Sequence, residues 1–175
     1  MKNFLFFILF FFFLTFFSPV LVFAESSYVL PYPSSMPGSL FYKVHLVFEG
    51  ISKYWYFGDF GQFEYNLKMA DKYLVEAKTL LEYKQYLLGY KSLQESDFYF
   101  SNILPSLMKA EKNNKNIVQK NLVLKQAAGK HIETLEKMEL NTPAIFIWQP
   151  EKALPTTLYL KKAIISSALL RKKSL

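Results

Sequence analysis

The chain contains no cysteine. Disulfides, thiolate nucleophiles, cysteine-ligated zinc, iron–sulfur clusters and a lipid-modified N-terminal cysteine are thereby excluded, and the fold must be held by its core alone. Glycine is scarce, with six in 175 residues. There is no Gly-x-Ser-x-Gly elbow for a serine nucleophile and no glycine-rich phosphate loop; Gly58-Asp59-Phe60-Gly61 lacks the lysine and the length of one. Histidine is limited to His45 and His131. That is too few for a clustered metal site, because His131 and Glu133 point to different faces of a helix. No metal centre and no cofactor is expected. The acids Glu49, Asp59, Asp71, Glu76 and Asp97 are candidates for a carboxylate pair only as acids, and most are expected in solvent.

What is present is apolar and helical. About half of the residues are hydrophobic and 18% are aromatic, too much for a disordered chain. The chain is organised around residues 62–83. Phe63, Leu67, Ala70, Leu74, Ala77 and Leu81 recur at steps of four and three, the signature of one helix face turned to a partner. Asp71 and Glu76 fall among the residues of the expected wetted face.

Residues 1–24 form an almost purely apolar run behind Lys2. They predict either a secretory signal cut after Ala24 or an uncleaved anchor, since about twenty residues cross a bilayer core. In both cases the remainder is expected to be exported. Residues 25–38 are proline-rich (Pro31, Pro33, Pro37) and extended, as a spacer or a docked arm. Residues 39–172 then form a single helical domain. Its first helix covers residues 39–57, with Leu40, Val44, Phe48, Ile51 and Trp55 on one stripe, expected to pack on two sides; part of that face could instead meet a membrane surface.

A third helix starts near Tyr86, with a kink or break at Leu104 before Pro105. Asp97 lies on its stripe, read as an edge position over a buried functional carboxylate. The fourth opens at Asn116 and carries Ile117, Leu124, Ala128, Ile132, Leu135 and Met138, with Glu133 and Lys137 spaced for a surface ion pair. Residues 144–155 are strand-like in composition but have no visible partner strand, and read as a docked loop or one helical turn. Thr156 or Thr157 is expected to cap a last helix running to about Arg171, with Leu158, Ile165, Ala168 and Leu169 inward. The predicted fold class is all-α: a bundle of about four long helices plus a short C-terminal helix.

The positive charge is concentrated at the end. Residues 151–175 hold six lysines or arginines against one glutamate. Lys161, Lys162, Arg171, Lys172 and Lys173 are the candidate contacts to an anionic surface. For an exported chain that surface is a membrane or wall polymer rather than nucleic acid.

Three stretches carry a resemblance: LPYPSSMPGSLFYKVHLVFEGI from Leu30 to Ile51, KMADKYLVEAKTLL from Lys68 to Leu81, and KHIETLEKM from Lys130 to Met138. In this order they resemble an uncharacterised family of exported bacterial helical proteins, a domain of unknown function. Such proteins place a signal or anchor before a proline-rich lead-in, an Ala-Asp-Lys helix and a His-x-x-x-Leu helix. Tyr73 stands where that family usually has arginine. The resemblance implies an extracytoplasmic helical domain and supplies no reaction, ligand or catalytic residue. The expected function is a non-enzymatic binding or structural module facing the envelope, offering a Tyr- and Phe-lined groove to a peptide or protein. The alternative is a metal- or stress-sensing envelope protein built on His45 and His131.

Overall fold

The computed structural model describes residues 28–33 and 36–175. Expectations for residues 1–27, including the signal or anchor and the junction after Ala24, lie outside the described residues. The architecture is all-α with one small hairpin. Helix α1 (Leu40–Ser52) runs into a single 3-10 turn (Lys53–Trp55). Helices α2 (Gly58–Glu82), α3 (Tyr86–Ser101), α4 (Ile103–Lys112) and α5 (Val118–Asn141) follow. Strands β1 (Phe146–Trp148) and β2 (Thr156–Leu158) then precede α6 (Leu160–Lys172).

Helix α2 is the axis, as its periodicity predicts. All six residues of its stripe are buried. Phe63, Leu67 and Ala70 pack with Phe100, Ile103 and Leu107 and with Leu124, Ala127 and Ala128 of α5. Leu74, Ala77 and Leu81 pack with Leu93, Leu135, Met138 and Ile164. Each fully buried leucine here contributes about 1.5–3 kcal/mol.

The turns have identifiable chemistry. Gly58-Asp59-Phe60-Gly61 forms the first turn of α2. Gly61 is required there, because a Cβ would sit 2.6 Å from the Tyr56 carbonyl carbon. The far end of α2 closes with Lys84 at φ 61°. The Lys84 and Gln85 amides donate to the carbonyls of Leu81 and Leu80, a Schellman closure made without glycine. Asn114, at φ 56°, ends α4 in the same way, with Lys115 N–H donating to Ala110 O at 3.0 Å. Gly89 lets α3 approach α2, since a Cβ would lie 2.8 Å from Leu81 Cγ.

Several expectations are corrected. The break between α3 and α4 falls at Asn102, whose Nδ2 donates to Phe98 O at 2.8 Å. Pro105 sits in the first turn of α4, where no intrahelical N–H is needed. Residues 144–155 do have a partner strand: β1 pairs antiparallel with β2, Ile147 opposite Thr157. Thr156 and Thr157 are therefore strand residues and do not cap α6. The inward register of α6 is Leu160, Ile164, Ser167 and Arg171; of the residues expected inward, Leu158 is buried and Ala168 packs half-buried on the second layer. Ile165 and Leu169 are exposed. There the helix turns a serine and an arginine to the core. Asp71 and Glu76 leave the wetted face and are buried.

The proline-rich segment from Tyr28 to Pro33 is a docked arm. Tyr28 packs on the first apolar layer and Leu30 on the second. Helix α1 differs most from expectation: its stripe does not pack on two sides. Phe48 is 59% exposed and Trp55 67% exposed, with Val44 and Ile51 also open. The side facing the bundle is polar, carrying Tyr42 and Glu49.

Candidate functional site

The core holds a polar network assembled from the arm and four helices. His131 on α5 is 0% exposed, and so is Arg171 on α6. His131 Nε2 lies 2.7 Å from Asp71 Oδ1 on α2. Tyr28 OH donates to the other Asp71 oxygen at 2.5 Å. Arg171 Nε donates to His131 Nδ1 at 3.1 Å. Its Nη1 pairs with Asp97 Oδ1 on α3 and also donates to Ser167 O at 3.0 Å. Its Nη2 donates to Ser96 Oγ at 2.8 Å, and that hydroxyl donates to Ala70 O at 2.8 Å. Ser167 Oγ completes the set on Asp97 Oδ2 at 2.6 Å. The guanidinium also stacks over Phe100, 4.8 Å from the ring centroid, a desolvated cation–π contact.

These bonds fix the protonation states. Arginine has no acceptor, so His131 Nδ1 must be bare and its proton sits on Nε2, donated to Asp71. Burial pushes the imidazole below its ordinary value. The Asp71–His131 contact is therefore a hydrogen bond donated by a neutral ring and not an ion pair. Burial also pulls Arg171 down while Asp97 opposes this; the guanidinium remains charged. Every guanidinium nitrogen and both imidazole nitrogens are engaged within the protein. Chemically the network is a clamp that cross-links helices, with a buried charge neutralised by a carboxylate.

A second polar cluster joins α1 to α2. Lys72 Nζ lies 2.5 Å from Glu49 Oε1 and 4.6 Å from the Tyr73 ring centroid. Glu76 Oε1 accepts from Ser92 at 2.7 Å and from Tyr42 at 3.2 Å. The other oxygens of Glu49 and Glu76 are buried without a hydrogen-bond partner among the described residues. Burial raises the Glu76 carboxyl above its ordinary value, against Ser92, Lys72 and Tyr42.

The candidate cationic residues separate. Lys162, Lys172 and Lys173 are exposed and Lys161 is half-buried. Arg171 is a correction: it is not a solvent-facing tail charge, because Asp97, Ser96 and His131 receive it inside the bundle. Asp97 is correspondingly more than an edge residue. His131 is fully buried with both nitrogens occupied, while His45 lies on the exposed side of α1, so the two histidines do not form one site. Among the described residues no group of three or more His, Asp or Glu could hold a metal ion. The sequence signal for the clamp was spacing: Ser167 and Arg171 continue the four-three rhythm of Leu160 and Ile164, and Asp97 lies on the α3 stripe.

Two open grooves remain. One of about 480 Å³ lies between the arm and α2 and α5, lined by Tyr28, Pro31, Lys78, Lys130, Glu133 and Lys137. The other, about 530 Å³, is lined by Tyr65, Phe98, Tyr99, Gln62, Asn66 and Lys109. Tyr65 and Tyr99 meet edge-on at 5.9 Å, and Tyr73 stacks on Tyr99 at 5.7 Å. Among the described residues no helix is long and apolar enough to cross a membrane. Comparison of the chain with protein-family models, curated sequences and solved structures found no match.

Proposed function

We propose that this chain is an exported, envelope-facing helical protein that acts as a non-enzymatic binding or structural module, of the kind its three motif stretches resemble. The observation that carries the reading is the aromatic groove at Tyr65, Phe98 and Tyr99. Its tyrosines are fixed by ring contacts, and Phe98 stands exposed at its rim. Rigid aromatic side chains lose little entropy on contact and are favoured anchors at interfaces. An extended peptide segment of another envelope protein fits such a groove. The internally satisfied network at Arg171 supports a scaffold role, since its polar atoms are used in holding helices together.

Lys161, Lys162, Lys172 and Lys173 offer a separate electrostatic contact to an anionic membrane or wall polymer, each adding on the order of 1 kcal/mol near a charged surface and weakening with salt. Two measurements test the reading. A C-terminal phosphatase reporter that folds only outside the cytoplasm should be active; an inactive reporter would remove export. A photo-crosslinking residue at Phe98 should give a discrete product in the native envelope, with none from the same probe at Leu122 on α5. Equal labelling at both positions would remove the groove as a binding site.

A further inference from the structure

Helix α1 is mounted inside out. A helix on a protein surface normally turns its apolar stripe to the core and its polar face to water. Here the bundle is met by polar groups: Tyr42 OH donates to Glu76, Glu49 pairs with Lys72, and Glu49 O accepts from Tyr65 OH at 3.4 Å. At about 100° per residue, Val44, Val47 and Ile51 fall nearly opposite Tyr42 and Glu49, with Phe48 beside them. They are all exposed, as are Phe41 and Trp55. A contiguous apolar face of this kind marks a surface that is covered in use.

We propose that this face of α1 lies on a phospholipid bilayer, buried to the boundary between headgroups and acyl chains. Three features select lipid as the occupant. First, the chain outside the described residues is itself membrane-like in sequence: residues 1–24 are an almost purely apolar run, and residues 25–39 separate it from α1. Second, exposed Lys43 stands beside the apolar face, complementary to anionic headgroups. Third, the face ends in Tyr54, Trp55 and Phe57, all exposed; tyrosine and tryptophan are the residues that prefer the membrane–water boundary. Glu49 and Tyr42 then hold the bundle on the lipid-distal side. The inference does not depend on the aromatic groove being a peptide site.

Trp55 reports directly on this, because the chain has two tryptophans. Full-length protein carrying Trp148→Phe is reconstituted into vesicles of phosphatidylglycerol and phosphatidylcholine. Trp55 emission should shift to the blue, lose most of its intensity when the lipids carry acyl-chain bromines, and resist quenching by aqueous iodide. In the converse Trp55→Phe protein, Trp148 should respond to iodide and not to bromine. The double substitution Val44→Ser and Phe48→Ser, at exposed positions, should leave the melting temperature unchanged and restore iodide quenching of Trp55. Trp55 open to iodide and blind to brominated lipid would overturn the proposal, whether or not residues 1–24 anchor the protein. Protection from both quenchers would also overturn it, since the face would then be covered by protein. An active export reporter with no bromine quenching sinks only this inference; bromine quenching with an inactive reporter sinks only export.

Discussion

Arg171 donates its Nε hydrogen to His131 Nδ1 across 3.1 Å, and this bond makes the histidine a donor to Asp71 on its other side. Charge is thereby passed between α6, α5 and α2 without a second formal cation. Arg171→Ala leaves Asp97 with Ser167 alone and the bare His131 nitrogen without a donor. Breaking a buried pair costs about 3–5 kcal/mol, measured as the shift of a urea unfolding curve. Arg171→Lys should recover only part, because a single ammonium cannot serve His131, Asp97 and Ser96 together. Lys172→Ala and Lys173→Ala, on exposed neighbours, should stay within about 0.5 kcal/mol of the parent protein. Equal costs at positions 171 and 172 would show that the arginine is not buried.

Leu74 is fully buried in the second apolar layer. Leu74→Ala should cost roughly 2–5 kcal/mol in the same unfolding measurement, from lost transfer energy and the cavity left behind. A loss under about 0.5 kcal/mol would mean that α2 turns another face to the core.

Stability should depend on pH in two opposing ways. Burial holds His131 below its ordinary value; the bond to Asp71 and the charge of Asp97 oppose this, and Arg171 adds to it. The unfolded chain takes up a proton near 6.5 while the folded one does not, so stability is kept above that pH. It falls as the pH drops below it, by at most about 1.4 kcal/mol per unit. Glu76 behaves in reverse. Its folded carboxyl retains a proton that the unfolded one releases near 4.5, so its contribution is full below that pH and is lost as pH rises toward the folded value. His131→Gln should flatten the acid limb and Glu76→Gln the rising one, in denaturation midpoints taken across the range. Unchanged limbs would place the titrations elsewhere.

Tyr28→Phe removes the hydroxyl on Asp71 while keeping the ring on the core. A hydrogen bond to a charged group is worth about 1.5–3 kcal/mol. Limited proteolysis should cut the proline-rich arm faster in this variant, with α2 to α6 left intact. Equal cleavage rates would show that the ring alone holds the arm.

What was legible in the sequence was the part governed by periodicity. The α2 stripe and the face from Leu124 to Met138 on α5 follow from spacing. The Glu133–Lys137 pair, 2.5 Å apart, follows from a four-residue interval. Other features required knowing which elements meet. Asp71 and Glu76 read as wetted because an acid between lysines usually is; only α5 and α3 arriving opposite them buries them. Arg171 read as tail charge because Lys172 and Lys173 follow it, and the acid that receives it is on another helix. The β1–β2 pairing was hidden because each strand has three residues, too short to show alternation. The outward face of α1 reads in sequence like any core stripe, since periodicity says which residues share a side and not what stands there.

The clamp joins residues from both ends of the described chain. Tyr28 meets Asp71, Asp71 meets His131, and His131 meets Arg171. A chain that emerges N-terminus first can wind α2 and α3 from contacts close in sequence, but Asp97 waits for its cation and His131 for its donor until Arg171 arrives. The last apolar layer waits in the same way for Ile164. Until then Asp97 faces a half-built interior, although the buried residues of the first apolar layer all come from earlier helices. The clamp therefore closes only once α6 has docked, and what each helix gains from it arrives in one step.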